Sequence, residues 1–218
     1  MNQQKSVPQT VIWDFNGTLL DDVDAGIDSV NELLCERGYA PIPSREVYRE
    51  TFGFPIREYY ARIGFDFERH PYEVLAPLWV EKYLQWVKNA QLYEDVLPTL
   101  TELRTHGVRQ IVLSATERKM LEGQLASLGI LGFFEEIFGL DNIHAASKLS
   151  LAEKWRSEHP NERVLLIGDT DHDVEAARAI GVECVLVARG HQSKRRLKML
   201  DVPVLENLGE VMNAYFKE

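Results

Sequence analysis

The stretch Val11-Ile12-Trp13-Asp14-Phe15-Asn16-Gly17-Thr18 sets a carboxylate at the end of an apolar run and a turn directly after it. A carboxylate presented by the C-terminal end of a strand, beside free backbone amides, can attack phosphorus and carry the group as an aspartyl-phosphate. Asn16-Gly17 between apolar flanks is also a hairpin-turn signal, and on this segment alone both readings stand. A second apolar run leads into Gly168-Asp169-Thr170-Asp171-His172-Asp173. Carboxylates at such a strand end are hard oxygen donors suited to Mg²⁺, which binds through one or two of them plus phosphate. For Asp171 and Asp173 the alternative is charge at a helix N-terminus. Ser114, closing the run Val112-Leu113 and followed by Ala115, offers a hydroxyl and neighbouring amides for a phosphate oxygen. Lys148, at the start of a helical pattern, offers a point charge for the phosphoryl group and the crowded carboxylates.

These residues need elements to hold them. Residues 11–13 read as a buried strand of the parallel-sheet kind. In residues 21–37 the period becomes helical, with Val23, Ile27, Val30 and Leu34 on one face. Further helices are expected from Ser44, after Pro55, and from Pro71, the last carrying Trp79, Tyr83 and Trp86 as an aromatic packing stripe. Then the texture changes: helix 95–106, strand 109–113, helix 117–128, strand 136–138, a helix near Lys148, strand 163–167, helix 174–180, strand 183–187 and helix 208–216. Alternation of this kind predicts an α/β fold, a Rossmann-like parallel sheet covered on both faces, with an α-helical module inserted after its first strand. The expected division is a core of residues 1–18 and 89–218 and a cap of residues 19–88. In such sheets ligands bind beyond the carboxyl ends of the strands, where Asp14, Ser114 and Asp169 fall.

Composition narrows the function. The 218 residues carry a formal charge of −10, which disfavours nucleic acid or an anionic membrane as the main partner. Cys35 and Cys184 are far apart, without CxxC spacing, and are expected to stay reduced. No apolar run approaches the roughly 20 residues of a membrane span, and residues 1–9 lack the apolar core of a signal peptide, so a cytoplasmic protein is expected.

The chain resembles the haloacid dehalogenase superfamily, in its phosphoglycolate phosphatase-like branch with a helical cap. The resemblance rests on Asp14-Phe15-Asn16-Gly17-Thr18-Leu19, Val112-Leu113-Ser114, Lys148, and Gly168-Asp169-Thr170-Asp171-His172-Asp173 with the following Glu175-Ala176-Ala177-Arg178-Ala179-Ile180-Gly181. It implies a phosphatase acting on a small phosphorylated metabolite, with Asp14 as nucleophile. Mg²⁺ would be held by Asp14, the backbone carbonyl of Asn16 and Asp169, with Asp173 in support. Ser114, Ala115 and Lys148 would hold the phosphoryl group, and the cap would set the substrate. Such a protein would work as a monomer or homodimer.

One position departs from that pattern. The phosphatase branch carries a second Asp two residues after the nucleophile, to protonate the leaving oxygen and then activate water. Here the residue is Asn16, whose amide moves no proton at neutral pH. Loss of a positioned acid/base typically costs ~10²–10⁴ in rate. The chain is then a phosphatase for good leaving groups such as acyl phosphates, or one in which another group does the proton work. The alternatives are an attenuated protein that binds a phosphorylated ligand or partner, or an inactivated enzyme. Asn16→Asp is expected to raise turnover of a simple phosphate ester.

Other features draw plainer readings. The basic run 193–198 reads as a solvated face, and Asp21, Asp22, Asp24 and Asp28 as charge at a helix N-terminus. The six histidines show no zinc-binding pair, and His172 reads as a surface residue. In the cap, Arg57 and Tyr60 are candidates for reaching substrate.

Overall fold

The computed structural model describes residues 7–140 and 148–217. Strand β1 (Thr10–Trp13) is followed by the short β2 (Leu20–Asp21) and by helices α1 (Val23–Glu36), α2 (Arg45–Thr51), α3 (Ile56–Arg62) and α4 (Tyr72–Trp86). Strand β3 (Gln91–Leu92) leads into α5 (Val96–Thr105), β4 (Arg109–Glu117), α6 (Arg118–Ser127), β5 (Glu136–Leu140), α7 (Leu149–Glu158) and β6 (Val164–Gly168). The chain ends with α8 (Asp171–Ala179), β7 (Glu183–Val187), α9 (Lys194–Leu197), β8 (Val204–Leu205) and α10 (Leu208–Tyr215).

Six strands form one parallel sheet in the order β5-β4-β1-β6-β7-β8. Both faces are covered, as near-continuous apolar strands require. Val11 and Trp13 of β1, with Leu165 and Ile167 of β6, join Leu100, Leu121 and Val211 of α5, α6 and α10 in one apolar cluster. Ile12 and Leu166 face the other way and join Ala152, Trp155, Val174 and Ala177 of α7 and α8. That division is the two-residue period of a strand, here apolar on both sides.

The helices α1 to α4 pack around a third cluster of their own, with Val30, Leu33, Leu34, Tyr48, Tyr60 and Leu75 at its centre. The chain leaves the sheet through β2 and returns through β3, which pair antiparallel with Leu20 opposite Leu92. This helical insert is therefore tied to the sheet by a two-strand stalk that follows the turn after Asp14.

Several sequence expectations are corrected. Of the two readings left open for Asn16-Gly17, the hairpin falls away, because both partners of β1, namely β4 and β6, run parallel to it and are distant in sequence. The strand expected to end at Ser114 continues to Glu117, through an irregularity in its pairing with β5 between Leu113 and Glu117. The helix expected from residue 174 begins at Asp171, which brings both acidic residues into its first turn. The two-residue strands β2, β3 and β8 and the short α9 were too brief to leave a periodic signal. Cys35 and Cys184 are unpaired, the first exposed and the second buried. Among the described residues no helix is long and apolar enough to cross a membrane. Residues 1–6, most of the stretch read above as lacking a signal peptide's apolar core, lie outside the described residues.

Candidate active site

At the carboxyl end of β1 the Asp14 N–H still bonds to Ile167 O of β6 at 2.9 Å, so the strand frame carries its carboxylate outward. The chain then turns on Phe15, whose carbonyl accepts from the amides of Thr18, Leu19 and Leu20. Gly17 makes this turn possible at φ +74°. A Cβ there would lie 2.4 Å from Asp169 Oδ2. The turn directs the Thr18 hydroxyl back to Asp14 Oδ2 at 3.2 Å and Asp169 Oδ1 at 3.3 Å.

Asp169 follows β6, the strand beside β1, and Asp173 lies in the first turn of α8. One oxygen of Asp173 accepts from the Asp169 and Thr170 amides and from the Thr170 hydroxyl, closing a capping box. The other accepts from Lys148 Nζ at 2.6 Å, and Lys148 also donates to Asp14 Oδ1 at 2.7 Å. Lys148 is 2% exposed, so the ammonium lies between two carboxylates away from water. Asp169 Oδ2 accepts from the backbone N–H of His191 at 2.5 Å. Gly190 permits that approach, since a Cβ there would lie 2.0 Å from the same oxygen.

The electrostatics follow from this burial. Burial and the nearby Asp173 raise the Asp14 carboxyl to about 6, against the pull of Lys148. Asp169 is driven well above the usual carboxylate range by burial, with Asp14 and Asp173 adding to it against His191. For Asp173 burial is outweighed by Lys148, and its value falls. Burial opposes the Lys148 charge as well, but the two carboxylates hold its value up.

Asp14, Asp169 and Asp173 each offer an oxygen within 4.8 Å of the others. Three carboxylates met by one ammonium leave an excess of negative charge in a buried space. An all-oxygen donor set with that excess fits a hard divalent cation. Asp171 does not join this group: its carboxylate accepts from Gln192 Nε2 at 2.7 Å and Arg196 Nη2 at 3.2 Å.

Ser114 is 1% exposed near the end of β4. Its Oγ accepts from the Thr116 amide at 3.1 Å and meets the Thr116 hydroxyl. Ala115, between them, is half-buried. The Thr116 hydroxyl donates to Asn16 Oδ1 at 2.8 Å, which links Ser114 to the loop after β1. Asn16 Nδ2 donates to Asp22 Oδ2 at 2.9 Å and to Tyr83 Oη at 2.8 Å. The structure thus gathers Asp14, Asn16, Ser114, Lys148, Asp169 and Asp173 at one end of the sheet. The Arg57 guanidinium lies 4.6 Å over the Phe67 ring in the helical insert. Tyr60 is buried in that insert, and its hydroxyl finds no partner among the described residues.

Sequence reasoning missed several neighbours. Asp22, assigned to the α1 N-terminus, makes no capping bond there and turns its carboxylate into the site. Tyr83, assigned to packing, does stack on Trp79 with ring centroids 5.0 Å apart, but its hydroxyl donates to Asp22 Oδ2 at 2.6 Å. His191 lies in a segment without periodicity. Its Nε2 meets Asp22 Oδ1 at 3.2 Å and its Nδ1 meets the Tyr48 hydroxyl at 2.9 Å. Burial opposes its charge, yet Asp22 raises it to about 9. His172 is no surface residue: it is 6% exposed and stacks on Phe54 at 4.4 Å. The basic run is likewise engaged. Arg196 donates to the carbonyls of Arg49, Glu50 and Phe52, so it clasps the C-terminal end of α2 to the core.

A model of the family described as haloacid dehalogenase-like hydrolase matches residues 11–187. Tyrosine-protein kinase PtkA of Mycobacterium tuberculosis is 30% identical over 187 residues, covering 84% of this chain. The chain spans 63% of the length of that relative. A phosphoglycolate phosphatase of Synechococcus elongatus is 28% identical over 201 residues, with 87% of this chain and 88% of the relative covered. The solved structure of the M. tuberculosis PtkA matches with a TM-score of 0.80 at 26% identity, over 97% of this chain and 99% of that one. A haloacid dehalogenase-like family hydrolase from Streptococcus pneumoniae matches with a TM-score of 0.76 over 96% of this chain and 98% of that one. At 22% identity it speaks for the fold alone.

Proposed function

Because the chain belongs to the haloacid dehalogenase-like hydrolase family, we propose that it is an Mg²⁺-dependent phosphatase for a small phosphorylated metabolite, working through an aspartyl-phosphate on Asp14. The observation that carries this reading is the buried group of Asp14, Lys148, Asp169 and Asp173 at the carboxyl end of the sheet. The relatives named phosphoglycolate phosphatase support a small phosphate ester or related compound as substrate. The helices of residues 19–88 act as the cap that closes over it, and the enzyme works as a monomer or homodimer. Two unpaired cysteines agree with a cytoplasmic setting.

In the first step an Asp14 oxygen bonds to phosphorus as the bond to the leaving oxygen breaks. Lys148 holds a phosphoryl oxygen and keeps Asp14 ionised, while the Ser114 hydroxyl and the Ala115 amide hold the others. In the second step water attacks the same phosphorus, which releases phosphate and restores the carboxylate. Asp14, Asp169 and the Asn16 carbonyl would hold Mg²⁺, with Asp173 behind them, and the ion when bound supplies positive charge for the phosphoryl oxygens.

Asn16 cannot protonate the leaving oxygen, so compounds that leave as stable anions are favoured. Acetyl phosphate and aryl phosphates should therefore turn over faster than alkyl phosphates. The test is phosphate release across such a panel in Mg²⁺ and in EDTA, with Asp14→Asn as control. Release indifferent to EDTA and to Asp14→Asn overturns the reading. A second reading, an attenuated protein that binds a phosphorylated ligand, is favoured by the full engagement of the Asn16 side chain in hydrogen bonds. Tight phosphometabolite binding without release would select it. The kinase name of one relative makes ATP with a tyrosine peptide a necessary arm of the panel.

A further inference from the structure

Asp22 is 1% exposed, and its two oxygens accept four hydrogen bonds from three parts of the chain. Oδ2 accepts from Asn16 Nδ2 at 2.9 Å and from the Tyr83 hydroxyl of α4 at 2.6 Å. Oδ1 accepts from the Gly17 amide at 2.8 Å and meets His191 Nε2, beyond β7, at 3.2 Å. The Asn16 amide is equally committed. It donates to Asp22 and Tyr83 and accepts from Thr116. Residues 16, 22 and 83 thus form a closed triangle in which the amide gives two protons, the phenol gives one and takes one, and the carboxylate takes two.

We propose that Asp22 is a positioning residue for the loop after β1, and that its carboxylate makes an amide obligatory at position 16. The inference rests on the phosphatase reading above only for its catalytic consequence. Asp22 grips the loop at the Asn16 side chain and the Gly17 amide, and so fixes the direction of the intervening carbonyl. A carboxylate at position 16 would face Asp22 Oδ2 across 2.9 Å with no proton between them. The Tyr83 hydroxyl has a single proton for the two acids. Two like charges left facing each other in a buried site are among the costlier arrangements a protein can hold. Asn16 is then matched to its surroundings, and restoring the expected acid by Asn16→Asp breaks the loop's support.

Exchanging the two groups keeps every bond. In the double variant Asn16→Asp/Asp22→Asn, the amide now at position 22 donates to the carboxylate at position 16 and to Tyr83, and Tyr83 donates to that carboxylate. The Thr116 hydroxyl still finds an acceptor there, and the Gly17 amide and His191 meet the side-chain carbonyl at position 22. The experiment is a cycle of wild type, both single variants and the exchange, read by thermal unfolding in EDTA and by alkyl phosphate turnover in Mg²⁺. Asn16→Asp should lower Tm by roughly 5–10 °C, and the exchange should recover most of that loss. Turnover should rise at least tenfold over wild type in the exchange and not in Asn16→Asp. If Asn16→Asp does not accumulate as folded protein, recovery of folded protein in the exchange supports the coupling and failure of both overturns it. Additive Tm changes, or Asn16→Asp as active as the exchange, overturn it as well. Should no variant release phosphate, the phosphatase reading fails while the Tm cycle still decides the coupling.

Discussion

Lys148→Met tests whether the cluster at Asp14 is built around a single buried cation. The ammonium meets Asp14 at 2.7 Å and Asp173 at 2.6 Å, with side-chain exposures of 3%, 10% and 0% for the three residues. A pair of unit charges about 4 Å apart interacts by roughly 4 kcal/mol at an effective dielectric near 20. Much of that is offset by the cost of burying the charges. Removing one partner of such a group nevertheless costs about 3–5 kcal/mol, because the other charge stays behind unpaired. Here two carboxylates stay behind, facing each other and Asp169. For a chain of this size about 2–4 °C of Tm corresponds to 1 kcal/mol, so a fall of roughly 6–20 °C is expected in EDTA. Methionine matches the apolar stem of lysine, which confines the effect to the charge.

The same three carboxylates set the response to Mg²⁺. With the ammonium gone, the three carboxylates attract a divalent cation more strongly. Ligand binding raises Tm in proportion to the logarithm of its concentration over its dissociation constant. Saturating MgCl₂ should therefore raise the Tm of Lys148→Met more than that of wild type, while phosphate release is lost. Paired thermal melts in EDTA and MgCl₂ measure both quantities. A fall of less than about 2 °C in EDTA, which is under 1 kcal/mol, would refute the reasoning. So would a Mg²⁺ response no greater than that of wild type.

Gly190→Ala should uncouple Asp169 from the cluster, since its Cβ would lie 2.0 Å from Asp169 Oδ2; the check is a much weaker Mg²⁺ effect on Tm with the fold retained by circular dichroism. Tyr83→Phe removes the donor to Asp22 and an acceptor of Asn16, which should cost about 1.5–3 kcal/mol in urea unfolding. Arg195→Ala should leave Tm unchanged, because its pairing with Glu50 is exposed. Arg196→Ala removes the clasp on the carbonyls of Arg49, Glu50 and Phe52; it should cost at least about 1 kcal/mol and open the insert to proteolysis. Equal effects of the two arginine variants would contradict this distinction.

What could be read before the structure depended on how local each signal was. β1, β4 and β6 are apolar on both faces and lead into polar residues, so a buried parallel sheet with Asp14, Ser114 and Asp169 toward its carboxyl end was legible. The boundary at Ser114 was misplaced because β4 continues through an irregular pairing that no periodicity reports. By residue type Asp171 and Asp173 were alike, and only the family resemblance singled out Asp173. The first turn of α8 separates them, sending Asp173 to Lys148 and Asp171 to Gln192 and Arg196. Arg57 had no such anchor, and an aromatic ring within the insert holds it.

Asp22 shows the limit most clearly. An acid beside a helix start has a sufficient local explanation in the helix dipole, and nothing in the neighbouring residues argues against it. Its actual partners come from Asn16, six residues back across the Gly17 turn, from Tyr83 on the far side of the insert, and from His191 after β7. Asn16 taken alone is an amide standing where an acid/base is expected. Beside a carboxylate 2.9 Å away it becomes the donor which that carboxylate requires. A polar residue in a buried site is defined by the protons its neighbours give and take. The departure at position 16 was therefore visible in the sequence, and its reason was not.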